Sequence, residues 1–507
     1  MLALDEAIGS CPAAALPRPW PRLSVGAGLW RDAISELASG RWTLIALWGE
    51  PDAVHMAVFE NATSKLAILS HACPKGRFPS VGRTHPPAIR LERAIADLVG
   101  LFAEGCPDTR SWLDHGHWSK RHPLSARPAT FRSTGERYSF LSADGPDLHQ
   151  IAVGPVHAGI IEPGHFRFTA SGETIVRLEE RLGYVHKGIE QLMQGATVEN
   201  AARLAGRVSG DSTVAYALAF ARAVEAARET DAPPRAVALR AVMAELERIA
   251  NHLGDIGAIC NDAAFALMLA HLAVLRERVL RAAMAAFGHR LMMDVIVPGG
   301  VARDISRNGT SEILDVLQVI EASAPRLLEL YDNTTSLQDR TAAAGVLSNE
   351  LAMQFGAGGF VGRASGRDFD CRRQPGYPPY DKLALDVPLR RDGDVNARLW
   401  IRVLEIDQSM RLIRQLLETL PPGPVASESS VLVTNVPGEG AAMIEGFRGD
   451  IFVWLRLENG GKIERCHLRD PSWFQWPLLE AAIEGNIVAD FPLCNKSFNC
   501  SYSGHDL

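Results

Sequence analysis

The chain lacks the marks of a nucleic-acid-binding, secreted or membrane-spanning protein. Its 507 residues include 52 lysines and arginines against 59 aspartates and glutamates, so it has no basic excess with which to hold a phosphate backbone. Nucleic acid is therefore excluded as the main partner. No basic segment followed by an apolar run stands at the N-terminus, so no signal peptide is expected. The longest apolar run, residues 263–275, is interrupted by His271 and is shorter than the roughly 20 residues of a membrane span, so it predicts a core helix.

Local metal-binding and dinucleotide-binding motifs are also missing. The eight cysteines contain no CxxC pair, which argues against a zinc or iron–sulfur site built from neighbouring cysteines. Scattered single cysteines indicate free thiols in a reducing compartment. The GAGG stretch at residues 356–359 lacks the third glycine and the preceding strand of a dinucleotide fingerprint, so no NAD site is expected in this chain.

What is present predicts an α+β fold with a small first unit. Three short apolar runs within residues 42–71, separated by turn signals, predict adjacent strands of one sheet. A helix is predicted after these strands, because Leu91, Ile95, Leu98 and Phe102 form one apolar stripe at helical spacing. The turn-rich stretch 123–150 predicts a boundary, which gives an α/β domain at 1–130, a linker at 131–149 and a larger domain at 150–507.

The larger domain is expected to be a bundle of long helices with flanking β-hairpins and a sheet. A β-like segment at 154–168 opens it. Apolar residues spaced alternately by three and four then predict lengthwise-packed helices at 175–192 and 239–256. Further helices are predicted at 263–287, 312–341 and 396–419. The last ninety residues predict strands at 431–435, 451–457 and 462–468, followed by a helix at 475–484.

One polar stretch inside this bundle needs explanation. Residues 203–225 read as a polar turn that leads into a helix rich in alanine, whose small side chains let neighbouring helices approach closely. Asp211 or Ser212 could cap the first free backbone N–H groups of that helix. Burying so many polar groups is costly unless they have a role. An ordinary capped core helix is the alternative.

Several blocks together resemble one family. They include GPVHAGIIEPGHFRF, YVHKGIEQL, AELERIANHLGDIGAICND, GRASGRDFDCR and the final NKSFNCSYSGHDL. Residues 150–507 resemble both the quinone-pocket catalytic subunit of respiratory complex I and the large subunit of membrane-bound nickel–iron hydrogenases. The first 130 residues resemble, more weakly, the small accessory subunit of complex I, through FPSVGRTHPPAIRLERAIADLVGLFAEG and HGHWSKRHPL. Fusion of the two is known in both groups.

The resemblance implies that nickel is absent. Hydrogenases hold nickel with thiolates from two CxxC pairs, because soft sulfur ligands bind this metal. Ser209 and Ser212 match the first pair, and Ser501 and Gly504 match the second. A shift of one residue would bring in Cys500, but a lone thiolate cannot hold the metal pair. We therefore expect this chain to bind no cofactor of its own.

The same resemblance implies a proton-donating pair. Complex I uses a histidine on the first hairpin and an aspartate on a bundle helix near its quinone, and His157 and Asp262 match them. A carboxylate beside an imidazole raises the pKa of the imidazole and fixes its tautomer, which suits proton donation. A hydrogen-bonded surface histidine is the alternative. The EPGH form is closer to the hydrogenases and implies that Glu162 is a proton-relay carboxylate.

Other residues are expected to support the cavity between Ser209, His157 and Ser501. Asp211 and His165 lie beside its predicted walls. Arg363 and Arg367 match a basic loop near the cavity in both groups of proteins. A pair of structural or solvated arginines is the alternative for the last two.

The implied function is a redox subunit on the inner face of the cell membrane. Its implied partners are an iron–sulfur small subunit, a ferredoxin-like subunit and antiporter-like membrane subunits. Electrons would pass from the partner's iron–sulfur cluster to a quinone-like acceptor in the metal-free cavity. A redox-inactive scaffold that transmits conformational change to ion-pumping partners is the second hypothesis. An active nickel–iron hydrogenase is the third.

Overall fold

A computed structural model describes residues 4–10, 13–15, 18–125, 138–427 and 436–507. The first part of the predicted linker and the predicted strand 431–435 lie outside these ranges. Among the helices within them, none is both long and apolar enough to cross a membrane.

The N-terminal part is built on a mixed five-stranded sheet. Its strands are β1 (Ala13–Ala15), β2 (Arg22–Ser24), β3 (Trp42–Glu50), β4 (Ala53–Glu60) and β5 (Lys65–Ala72), in the order β1-β2-β5-β4-β3. The helices around it are α1 (Leu4–Ser10), α2 (Ala27–Ala38) and α3 (Ile89–Val99). The three strands predicted within 42–71 are confirmed, because β5, β4 and β3 are antiparallel neighbours.

The predicted stripe on the next helix is right except at its end. Helix α3 stops at Val99 because Gly100 follows in the left-handed conformation, with φ of 75°. Phe102 therefore lies beyond the helix. It begins strand β7 (Phe102–Glu104), which pairs in parallel with β6 (Arg77–Pro79).

A three-stranded antiparallel sheet opens the second part of the chain. It consists of β8 (Leu148–Val153), β9 (His165–Ser171) and β10 (Thr174–Arg181). The sequence predicts a β-like segment from residue 154, but residues 154–164 form the loop between β8 and β9.

The helix predicted at 175–192 is wrong. Strand β10 occupies its first half, and a bulge between Ile175 and Arg177 gives buried residues at Ile175 and Leu178. The bulge inserts one residue into the alternation, so a strand imitates the helical spacing of three. Gly183, with φ of 96°, then interrupts the chain before the short helix α4 (Ile189–Met193).

The predicted helix bundle is confirmed. Its main helices are α6 (Thr213–Arg228), α7 (Pro234–Asp262), α8 (Ala266–Phe287), α9 (Arg307–Asn333) and α13 (Val395–Glu418). Shorter helices are α5 (Val198–Ala205), α10 (Thr335–Thr341), α11 (Asn349–Gln354) and α12 (Gly359–Ala364), and β11 (Ile296–Val297) pairs with β12 (Gly300–Val301). All six apolar positions predicted between 239 and 256 are buried.

A C-terminal sheet packs on the alanine-rich helix. The sheet contains β13 (Gly438–Gly446), β14 (Gly449–Leu457) and β15 (Ile463–Arg469), and helices α14 (Ser472–Ala482), α15 (Phe491–Phe498) and α16 (Tyr502–Asp506) follow it. A side chain at Gly438 or Gly440 would overlap the backbone of α6. The small residues of α6 thus admit a strand at close range, whereas the sequence suggests neighbouring helices.

Arginines tie the N-terminal sheet to this C-terminal sheet. Arg469 Nε donates to the carbonyl oxygen of Ile45 at 2.6 Å, and Arg456 forms two hydrogen bonds to the Glu50 carboxylate at 3.0 and 2.5 Å. Edge strand β3 is therefore covered within the chain rather than left open for pairing.

Candidate functional site

The two serine positions predicted to face each other do meet. Ser209 precedes a single turn of 3₁₀ helix, Gly210–Ser212, that leads into α6, and Ser501 is the N-cap of α16. Their hydroxyl oxygens lie 3.0 Å apart, and both side chains are buried. Ser209 also donates to Asp211 Oδ1 at 2.7 Å. The two hydroxyls are therefore in closed contact, with no room for another group between them.

Arg448, on the turn between β13 and β14, holds in place the turn formed by residues 209–212 (the serine turn). Its guanidinium donates to both Asp211 oxygens, at 2.9 and 2.6 Å, and to Ser212 Oγ at 3.2 Å. Burial alone would raise the pKa of the Asp211 carboxyl, but Arg448 and the two serine hydroxyls lower it to about 2. Sequence reasoning missed Arg448, since a lone arginine on a distant turn gives no signal.

The predicted side-chain cap of α6 is wrong. Neither Asp211 nor Ser212 caps the helix. Instead, Glu247 on α7 accepts hydrogen bonds from the backbone N–H groups of Val214 at 2.7 Å and Ala215 at 3.1 Å. Burial raises the pKa of Glu247 to about 8, against the opposing effect of these two N–H groups. The cap thus comes from a tertiary neighbour, which frees Asp211 for Arg448.

A small cavity between α7 and α8 also borders the serine turn. Its lining includes Asp211, Glu247, Asn251 and Arg276. Asn251 on α7 donates to the backbone oxygen of Asp211 at 2.8 Å and so ties the serine turn to α7.

Gly504 could not carry a cysteine in this arrangement. A Cβ placed on Gly504 would overlap the Asp470 carboxylate. That carboxylate also accepts a hydrogen bond from Tyr216 at 2.6 Å. The backbone N–H of Gly504 donates to Ser501 Oγ at 2.8 Å. Hydroxyls and a carboxylate thus surround the positions that the resemblance matches to nickel ligands, and these hard oxygen donors do not fit a nickel–iron centre.

The loop between β8 and β9 carries His157 and contacts residues 501–507, the C-terminal tail. His157 Nδ1 lies 3.1 Å from the carbonyl oxygen of Pro155, and Nε2 lies 3.5 Å from the hydroxyl of Tyr502. Glu162 accepts a hydrogen bond from the Ser503 backbone at 3.0 Å. Its contact with the tail places Glu162 next to the predicted site.

His165 has a structural position at the start of β9. Its Nδ1 bonds to the carbonyl oxygen of Gly154 at 3.2 Å, where the loop begins. Burial lowers the pKa of this imidazole. His165 therefore closes the base of the loop that carries His157.

The predicted pair of His157 and Asp262 is not formed as a direct contact. Among the residues in the described ranges, no hydrogen bond or ion pair joins the two. Asp262 ends α7, where burial raises the pKa of its carboxyl and the positive charge of Lys496 opposes that rise. The partners found for His157 are Pro155 and Tyr502, because the loop that carries it contacts the C-terminal tail.

Arg363 and Arg367 are core residues, which agrees with the structural alternative. Arg363 bonds to Glu405 at 2.8 Å and to Glu445 at 2.9 Å. Arg367 donates to the carbonyl oxygen of Ala357 at 2.9 Å. Both arginines are buried, and their hydrogen bonds go to these groups rather than to the two serines.

Arg363 belongs to a buried ionic network that sequence reasoning missed. The network joins carboxylates on α7, α13, β13 and the segment after α12 to three arginines; its main members are Glu245, Arg248, Arg363, Asp370, Arg372, Glu405 and Glu445. His252 adds a contact to Glu405 at 2.7 Å. Burial, with Asp370 nearby, raises the pKa of Glu445. Losing one partner would leave an uncompensated buried charge, so the network fixes how these elements pack.

Two family models match the chain. The 49 Kd subunit of respiratory-chain NADH dehydrogenase matches residues 262–435 and 433–506. The 30 Kd subunit of the same complex matches residues 45–130.

Curated relatives span both hydrogenases and NADH-quinone oxidoreductases. Formate hydrogenlyase subunit 5 of Escherichia coli is 30% identical over 441 residues, which is 85% of this chain and 77% of the relative. Carbon monoxide-induced hydrogenase of Rhodospirillum rubrum is 31% identical over 353 residues, 69% of this chain and 97% of the relative. An NADH-quinone oxidoreductase subunit of Bacteroides thetaiotaomicron is 27% identical over 452 residues, 85% of each.

Proposed function

Since the chain belongs to the family of the 49 kDa subunit of respiratory-chain NADH dehydrogenase and its hydrogenase relatives, with a 30 kDa-subunit segment fused ahead of it, we propose that it forms a metal-free reduction site. It is a subunit of a complex-I-like or hydrogenase-like oxidoreductase. The site would lie beside an iron–sulfur cluster held by a partner subunit. A quinone-like acceptor would be reduced and protonated there.

The contact of the β8–β9 loop with the tail carries this proposal: His157 Nε2 lies 3.5 Å from the Tyr502 hydroxyl and Glu162 accepts from the Ser503 N–H, both next to Ser501. The hydroxyls of Ser209 and Ser501 bond to each other at 3.0 Å, at positions that the resemblance matches to nickel-binding thiolates. Asp211 and Arg448 form an ion pair beside the serines, in which the arginine is buried and the carboxylate is partly exposed. Burying the guanidinium and the two hydroxyls is costly unless they have a role, which supports a polar binding site here.

The chain's own groups would supply protons and charge. A two-electron acceptor gains negative charge, and a histidine is the side chain whose pKa lies nearest to neutrality. With Nδ1–H donated to the carbonyl of Pro155, the imidazolium form of His157 would carry the transferable proton at Nε2 and would become the neutral imidazole on transfer. Glu162, tied to the tail through Ser503, would return a proton to the loop.

The β8–β9 loop also offers a surface for the iron–sulfur subunit. Val156 is 81% exposed and Ile160 is 98% exposed on this loop. A partner that covered both side chains would remove this apolar surface from water. We place the iron–sulfur small subunit against this loop, with a ferredoxin-like subunit behind it and antiporter-like membrane subunits below, on the inner face of the cell membrane.

The test uses the native assembly purified from membranes. We expect no stoichiometric nickel, quinone-dependent oxidation of the electron donor, and a loss of at least tenfold in that rate for His157→Gln, a typical effect of removing a general acid. The iron–sulfur clusters of the variant should still be reduced by the donor. Stoichiometric nickel with hydrogen evolution would refute the proposal.

A scaffold without redox chemistry is the second candidate, and the closed contact between Ser209 and Ser501 favours it. In that case His157→Gln would leave acceptor reduction unchanged. Changes at the serine contact would instead uncouple ion pumping from electron transfer.

A further inference from the structure

Tyr502 connects three parts of the proposed site. It lies in the tail between Ser501, which contacts Ser209, and Ser503, whose backbone N–H donates to Glu162. Its own hydroxyl lies 3.5 Å from His157 Nε2, and its ring centroid lies 6.2 Å from that imidazole. The tail therefore touches the loop and the serine turn through consecutive residues.

The contact with Pro155 decides what Tyr502 does. A carbonyl oxygen only accepts, so His157 Nδ1 must carry the hydrogen in that 3.1 Å contact. In the neutral imidazole Nε2 is then an acceptor, and the proton that fills its contact with Tyr502 is the phenolic one.

We propose that Tyr502 is a positioning residue that holds His157 by donating its phenolic hydrogen to Nε2 of the neutral imidazole. This inference rests on the proposed role of His157. The contact fixes the orientation of the imidazole on the loop.

The packing around Tyr502 leaves it little freedom. The side chain is 5% exposed, and its ring lies 4.8 Å from that of Trp476. Gly164 faces the ring, and a Cβ there would lie 2.6 Å from Cε1 of Tyr502. Glycine at 164 therefore makes room for the phenol.

The phenol is suited to donation and not to acid chemistry. Burial raises the pKa of Tyr502 well above its ordinary value, with a smaller contribution from nearby acidic groups that include Glu162 and an opposing hydrogen bond with Asn495. A hydroxyl with so high a pKa keeps its proton near neutrality. The proton given to the acceptor must therefore come from His157.

The environment of His157 contains few other charges. The loop contributes Glu162, the tail contributes Tyr502, and β9 contributes the ring of Phe166 at 5.4 Å. Of these groups, Tyr502 is the one in hydrogen-bond contact with Nε2.

Tyr502→Phe in the full complex tests the inference, because it keeps the ring and removes the donor. Loss of the hydrogen bond should change the ¹⁵N chemical shift of Nε2 in the neutral imidazole of His157, as measured by NMR of labelled histidine. The acceptor-reduction rate should fall by about two- to tenfold, because the imidazole is no longer held in place. Reduction of the partner's iron–sulfur clusters by the electron donor should be unchanged.

Two further variants make the outcome decisive. Gly164→Ala should push the phenol away and change the Nε2 resonance of His157 in the same direction. Tyr184→Phe, at a half-exposed tyrosine whose ring contacts His115, should shift nothing. An unchanged Nε2 resonance of His157 in both Tyr502→Phe and Gly164→Ala would overturn the inference. The activity of His157→Gln is a separate measurement that judges only the proposed function.

Discussion

At the scale of single residues, the serine turn depends on charge pairing that resists acid. The folded-state pKa of Asp211 is about 2, below its ordinary value of 3.8, because Arg448 and two hydroxyls favour the carboxylate. The unfolded chain therefore binds this proton at a higher pH than the folded chain. The pairing stabilises the fold fully above about pH 4, and that stability is lost as the pH falls toward about 2.

Asp211→Asn should remove this contribution. We expect the variant to be destabilised at pH 7 by about 1–3 kcal/mol, since Arg448 keeps hydrogen-bond acceptors but loses its anionic partner and Asp211 is partly exposed. The difference from wild type should shrink between pH 4 and pH 2. Urea unfolding at pH 7, 4 and 3 measures it, and Asp144→Asn on an exposed loop serves as the control. A difference that stays constant with pH would contradict the assignment.

The nearness of Ser209 to Ser501 could be predicted, but the partners of the other site residues could not. The sequence blocks around the two serines match the same family, and matching them to its ligand positions brings Ser209 and Ser501 together. The pairing of His157 with Asp262 follows from the same matching, and no direct contact within the described residues supports it. Arg448 and Glu247 come from remote elements, and only the packed chain brings them to the serine turn.

At the scale of elements, α6 begins without a cap of its own. Its first N–H groups are satisfied by Glu247 from α7, so the start of one helix is fixed by the middle of another. Helix ends that are buried need such partners.

Glu247→Ala should therefore destabilise the chain by about 1–3 kcal/mol, because two buried N–H groups lose their acceptor. Glu247→Gln should cost less, since an amide oxygen can still accept. Thermal or urea unfolding measures both, and Glu199→Ala in the exposed first turn of α5 should stay near wild type. Equal effects for the alanine and glutamine variants would show that the accepted hydrogen bonds do not matter.

Apolar spacing alone does not separate a helix from a bulged strand. The positions between 239 and 256 keep helical spacing over about five turns, and α7 forms there. Residues 175–192 offer the same spacing over the same number of residues, but the bulge at Ile175 produces its first part within a strand. The alanine pattern of α6 correctly signals close approach, yet not which kind of neighbour comes close.

At the scale of the whole molecule, a carboxyl pair lies where the N-terminal part meets the rest. Arg90 on α3 bonds to Glu180 on β10 at 3.2 Å and to Glu480 on α14 at 2.6 Å. Glu180 is buried, and its Oε1 has no hydrogen-bond partner among the described residues. One guanidinium cannot balance two buried carboxylates, so burial and the charge of Glu480 raise the pKa of Glu180 well above its ordinary value of 4.5.

This raised pKa gives a prediction for the stability of the full chain. The folded state keeps a proton on the pair that the unfolded state releases above about pH 4.5, so the contribution is complete below that pH and is lost as the pH rises through the folded pKa. Glu180→Gln is neutral in both states and leaves Arg90 paired with Glu480 alone. Its melting temperature should fall less than that of wild type between pH 5 and pH 8.

Glu247 and Asp262 also have raised pKa values and add slopes of the same sign, but they do so equally in both proteins, so the difference isolates Glu180. Glu199→Gln, at an exposed carboxylate, should follow wild type throughout. If Glu180→Gln follows wild type as well, both carboxylates are ionised in the folded chain, and the junction carries a buried negative charge that Arg90 alone does not balance.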